Sequence, residues 1–131
     1  MTTTTAFDPS LITDEMVMKT LKEVVAEKPE YVYSVPEYQK NLGGVDCFYV
    51  HLDEDGTPVS PGCVVGAVLH RLGVPLEVLR QEEGQPARTA VRRIGLSLSF
   101  GTRATLNGIQ GKQDDGTPWG QAYAMITGET I

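Results

Sequence analysis

Cysteine is scarce in this chain, with Cys47 and Cys63 alone among 131 residues. Two cysteines do not make a disulfide scaffold, and a domain of this length buries a core without staples. Histidine is equally scarce, with only His51 and His70. These four residues have the right chemistry for zinc but the wrong spacing. Cys47 and His51 fall on one side of a strand about 13 Å apart, at ~3.3 Å per residue. Cys63 and His70 share a helix face about 10 Å apart, at ~1.5 Å per residue. Neither pair closes on one ion, so neither a metal nor a cofactor is expected. Long apolar runs are missing too. The longest, Cys63 to Leu72, is interrupted by Gly66, His70 and Arg71, and falls well short of the roughly 20 residues a membrane helix needs. Met1-Thr2-Thr3-Thr4-Thr5 has neither a basic start nor an apolar stretch. That reads as no secretory signal and makes the cytoplasm the expected location.

Ligand loops are also lacking. Gly101-Thr102-Arg103 and Gly108-Ile109-Gln110-Gly111-Lys112 match no phosphate-loop pattern. With Gly56 as the sixth residue of a calcium loop, Asp53-Glu54-Asp55-Gly56 would put His51 first and Gly62 twelfth, and neither supplies the required carboxylate. In Asp114-Asp115-Gly116 the glycine comes at once and no twelfth-position glutamate follows. Both acidic stretches read as turns.

What the chain does have is an uneven acidity. The net charge is −6. Residues 1–66 hold four Lys against eleven acidic side chains, and residues 67–131 hold seven basic against six acidic. An acidic chain repels phosphate backbones at long range, which argues against general nucleic-acid binding.

Residues 1–11 are polar and Thr-rich and read as a mobile N-terminal arm, leaving 12–131 as one globular domain. Thr13 is a helix cap followed by Asp14 and Glu15, and Val17, Leu21, Val24 and Val25 follow at helical spacing up to Lys28-Pro29. An irregular aromatic stretch carries Tyr31, Tyr33 and Tyr38, and Gly43-Gly44 marks a turn. Val45 to Val50 and Thr57-Pro58-Val59 read as a hairpin around Asp53–Gly56, with Pro58 on an edge strand.

Ser60 as cap and Pro61 at the first position then open a helix that Gly73 closes. It is apolar on nearly all sides and so is expected at the centre of the core, with Gly62 and Gly66 giving one flat face for close packing. Pro75 opens a short helix. Ala87, Ala90, Val91, Ile94 and Leu98 share the face of another, with Arg88, Arg92 and Arg93 beside it. One more helix spans about Thr102 to Gln113, and Thr117-Pro118 opens the last, which Gly128 ends. The fold class is predominantly helical α+β: about five helices around a small β-hairpin.

Three places are candidates for function. Arg88, Arg92 and Arg93 form a basic patch around one helical turn, suited to an acidic partner or an anionic ligand such as a nucleotide; the alternative is that they pair with nearby Glu82 and Glu83. Tyr31 and Tyr33, with Tyr38, Phe48 and Tyr49, either anchor a partner or cover the core beneath a loop. Cys63 at a helix start, with His51 as base, is the one arrangement resembling a thiol enzyme.

Two stretches together carry a resemblance. Cys63-Val64-Val65-Gly66-Ala67-Val68-Leu69-His70-Arg71-Leu72-Gly73-Val74 and Gln113-Asp114-Asp115-Gly116-Thr117-Pro118-Trp119-Gly120 are similar to segments of small hypothetical proteins of actinobacteria and their bacteriophages. Val24 to Pro29 and Phe48-Tyr49-Val50 fit the same order. The resemblance implies an accessory gene product of a bacterial or phage-infected cell, and it carries no catalytic or binding residues across. The expectation is a non-enzymatic protein that binds a protein partner, or failing that a small anionic ligand, with no membrane attachment.

Overall fold

The computed structural model describes residues 7–36, 39 and 48–131. Among these are a 3₁₀ turn at Pro9–Leu11 and six helices, α1 (Asp14–Glu27), α2 (Val64–Arg71), α3 (Leu76–Arg80), α4 (Ala87–Ile94), α5 (Phe100–Asp114) and α6 (Trp119–Thr127). Strands β1 (Val50–Leu52) and β2 (Pro58–Pro61) pair antiparallel. The fold is a predominantly helical α+β arrangement around a hairpin. Tyr38, Cys47, Gly43-Gly44 and the first part of the strand expected from Val45 lie outside the described residues, as do residues 1–6 of the expected arm. Of that arm, Phe7 packs against the core, and Asp8 caps the 3₁₀ turn by accepting the Ser10 N–H.

Helix α2 lies at the centre. Val64, Val65, Gly66, Val68 and Leu69 are all buried, and the helix packs against α1, α3 and α5. Thr13 caps α1 by accepting the Met16 N–H at 3.2 Å. The face made by Val17, Leu21, Val24 and Val25 then turns inward, burying apolar area in the way a one-sided helix must. α6 lies against α5 and α1, and α4 lies against α5.

The start of α2 differs from the sequence expectation. Ser60 and Pro61 belong to β2, and the cap position is Cys63. The reason is tertiary: the Gly62 N–H reaches the Tyr49 carbonyl and the Cys63 N–H the Phe48 carbonyl, both at 2.9 Å, so extended pairing runs past the proline. The helix's open N–H groups are met from another element. Gln113 Oε1 accepts from Val64 N at 2.8 Å, and Gln110 Oε1 accepts from Val65 N at 3.2 Å, doing the work of a local cap. The two glycines permit this approach. A Cβ at Gly62 would stand 2.3 Å from the Phe48 carbonyl oxygen, and one at Gly66 2.3 Å from that of Tyr49.

Other boundaries moved too, the strands to Val50–Leu52 and Pro58–Pro61 among them. α4 ends at Ile94 because Gly95 takes a left-handed conformation, φ 107°, so Leu98 lies beyond the helix although it is still buried. α5 begins at Phe100, capped by Ser99, whose hydroxyl accepts the Thr102 N–H. Pro118 rather than Thr117 stands at the cap of α6. There the Trp119 and Gly120 N–H groups donate to the carbonyls of Tyr31 and Pro29.

The hairpin is held by side chains that act as backbone. Buried Gln39 donates from Nε2 to the Val50 carbonyl at 2.9 Å and accepts the Leu52 N–H at Oε1 at 3.0 Å. Glu83 accepts the N–H groups of Tyr49 (2.7 Å) and Val50 (3.2 Å). Asp53 closes the turn by accepting the N–H groups of Asp55 and Thr57, both at 2.9 Å.

Candidate functional site

A pocket of about 290 Å³ lies between α4 and α5, lined by Arg88, Thr89, Arg92, Phe100, Arg103, Ala104, Asn107 and Gly108. Its construction follows from two helical stripes. On α4, the positions of Ala87, Ala90 and Val91 face the core and are buried, which leaves Arg88 and Arg92, one turn apart, on the outer side. On α5, Thr102, Leu106, Ile109, Gln110 and Gln113 are buried. The positions 100, 103, 104, 107 and 108 form a second stripe at helical spacing, and that stripe faces the arginines of α4 across the pocket. The short 95–99 connection sets the two helices against each other. Asn107 fastens them together, its Oδ1 accepting the Arg88 N–H at 3.3 Å.

The electrostatics of this pocket are one-sided. Arg88 and Arg92 form no ion pair among the described residues. Arg103 is half-buried and feels the charge of Asp14. The Asp14 carboxyl is held below its ordinary range, first by the Ser99 N–H, then by the Thr102 hydroxyl, with Arg103 a smaller cause. Three arginines thus line one concave site. They repel one another, and an anion seated among them removes that repulsion while gaining charge-assisted, often bidentate hydrogen bonds. Phe100 stands at the edge of the pocket with 79% of its surface exposed.

The other sequence candidates are placed differently. Arg93 turns away from the pocket and bonds to Glu82, Nε to Oε1 at 2.8 Å, where the carboxylate is almost wholly buried. Tyr31 lies edge-on to Trp119, with ring centres 4.9 Å apart. The Lys28 ammonium sits 4.0 Å above the Tyr31 ring. Trp119 itself is buried and donates its indole N–H to Gln113 Oε1 at 3.1 Å. The Tyr33 hydroxyl accepts the Phe48 N–H at 3.1 Å and hydrogen-bonds Nε2 of His51 at 2.9 Å. Both tyrosines pack against the core. Burial, with the charge of Lys28 second, pushes the His51 pKa down.

Cys63 is fully buried, inside the core cluster. Among the described residues no group of three or more His, Cys, Asp or Glu is arranged to hold a metal ion, and no helix is long and apolar enough to cross a membrane.

Sequence reasoning missed Phe100, Arg103 and Asn107. Their signal was the spacing 100, 103, 107, which marks one helix face. A polar stripe of this kind has no apolar contrast to make it stand out from a solvated surface. No family model, curated protein or solved structure matches the chain.

Proposed function

We propose that this is a binding protein, not an enzyme, and that it holds an anionic group of its partner with Arg88, Arg92 and Arg103. The observation that carries this reading is that three arginines line one pocket, two of them without a carboxylate partner among the described residues. Arginines with a structural task in this protein are paired: Arg71 is bidentate to Glu27 at 2.6 and 2.7 Å, and Arg93 holds Glu82. The burial of Cys63 weighs against a thiol enzyme, because a nucleophile must meet its substrate. The resemblance to small actinobacterial and phage proteins supports an accessory role in a bacterial cytoplasm.

The test is calorimetric titration of the wild type and of the Arg88→Glu/Arg92→Glu variant with a panel of anions: a glutamate-rich peptide, pyrophosphate and nucleoside monophosphates. At least one binds the wild type saturably, and the variant, folded as before, loses at least tenfold in affinity. A wild type that binds no member of the panel overturns the reading.

A further inference from the structure

We infer that the pocket between α4 and α5 takes a nucleoside monophosphate, with the phosphate among the arginines and the base against Phe100. This deepens the reading above and rests on it. The size of the pocket limits the ligand first. At about 290 Å³ it stands at the lower end of the ~300–1,000 Å³ range of small-molecule sites. One phosphate with a sugar and a single ring system is in scale with it, whereas a dinucleotide is not.

The polar lining then sets the chemistry. Arg88 and Arg92 project from successive turns of α4 and Arg103 from α5, so donors reach the pocket from two helices. A phosphate monoester carries nearly two negative charges at neutral pH and three acceptor oxygens, a better match for three guanidinium groups than a single carboxylate. Thr89 and Asn107 add neutral hydrogen-bonding groups to the lining. The Asn107 amide nitrogen has no protein partner among the described residues, while its oxygen is committed to the Arg88 N–H. Such groups suit the hydroxyls of a sugar.

Phe100 supplies the third element. It is the first residue of α5, and its ring is the most exposed of the large apolar side chains among the described residues, at 79%. The remainder of that end of the helix is well fixed: Ser99 caps it, and Asp14 accepts the Ser99 N–H at 2.9 Å. A rigidly based aromatic ring left in water beside a phosphate-binding set is a stacking platform, since every base offers a flat face to it. Because the ring is exposed, its removal leaves the core intact.

The experiment is calorimetric titration of the full chain at low salt with adenosine, guanosine, cytidine and uridine 5′-monophosphates, with ribose 5-phosphate and with a glutamate-rich peptide. It is run on the wild type, Phe100→Ala and Arg92→Glu. The nucleoside monophosphates bind about tenfold more tightly than ribose 5-phosphate. Phe100→Ala removes that advantage and leaves ribose 5-phosphate unchanged, and Arg92→Glu weakens both. Equal affinity for ribose 5-phosphate and the nucleotides, or nucleotide affinity untouched in Phe100→Ala, overturns the assignment of the base to Phe100. Peptide binding lost in Arg92→Glu, with no nucleotide binding, overturns this inference but leaves the anion-binding reading standing. No binding by any of these ligands or by pyrophosphate overturns both.

Discussion

The hairpin with the start of α2 and the α4–α5 pair treat polar groups in opposite ways. Around the hairpin each buried side-chain donor and acceptor among the described residues has a partner. Gln39, Glu83, Gln110 and Gln113 reach across the fold to do so. At α4 and α5 the polar groups are larger, carry full charge and turn to an open pocket. The first region spends its polarity on its own backbone, where a lost partner leaves an unpaired group in the core. The second keeps the charges of Arg88 and Arg92 uncommitted, where they add little to stability and remain available to a ligand. The same distinction divides neighbours in the chain: Arg92 lines the pocket, and Arg93 is tied to buried Glu82.

The contrast is broken most severely at Gly66. A methyl group there collides with the Tyr49 carbonyl, which is held by the Gly62 N–H. Gly66→Ala is expected to cost about 3 kcal/mol or more, read as the shift of a urea unfolding midpoint. Gln113→Ala comes next. It strips the partner from both the Val64 N–H and the Trp119 indole, and the expected loss is about 2–3 kcal/mol by the same measurement.

Glu83 gives a test through pH. Burial pushes its carboxyl up to about 7, against the lowering effect of the Tyr49 and Val50 N–H groups and of Arg80. A folded-state pKa above the unfolded one means that the folded state binds the proton more readily. The stability contribution is therefore complete below about pH 4.5 and is lost as the pH rises through about 7. Wild-type stability relative to Glu83→Gln should fall between pH 5 and 8 by about 2 kcal/mol. His51 contributes a slope of the opposite sign. Its folded pKa is depressed by burial, so its contribution is present above about 6.5 and is lost as the pH falls below that. The slope is common to wild type and variant, so the difference between their melting curves isolates Glu83.

The smallest effects sharpen the comparison within α4. Arg93→Ala leaves the Glu82 carboxylate unpaired in the core and is expected to destabilise by about 1–2 kcal/mol. Arg92→Ala, one residue earlier, should stay within about 0.5 kcal/mol of wild type. Equal losses from the two would erase the distinction between committed and free arginines.

Much of this was legible in local sequence. Thr13, Gly73, Gly128 and Asp53 act where their types predict, because caps and turns depend on residues a few positions apart. The central place of α2 followed from a surface apolar on nearly all sides. The pairing of Arg88 and Arg92 followed from their spacing of one turn. What was not legible depended on contacts from afar. Ser60-Pro61 has the chemistry of a helix start, and only the carbonyls of Phe48 and Tyr49 explain why that segment is extended. Arg93 differs from Arg92 only through Glu82, eleven residues away. The basic patch of Arg88 and Arg92 was readable on one helix, but the pocket needs α4 and α5 side by side, and Arg103 joins the patch only where the two helices meet.

The central claim is that Arg88, Arg92 and Arg103 serve a ligand and not the fold. The most direct measurement follows the wild type and Arg88→Glu/Arg92→Glu together, by thermal unfolding and by titration with adenosine 5′-monophosphate, pyrophosphate and a glutamate-rich peptide. The account predicts melting temperatures within about 2 °C of each other and saturable anion binding that the variant loses. Binding retained in the variant, or a wild type that takes none of these anions, would contradict it.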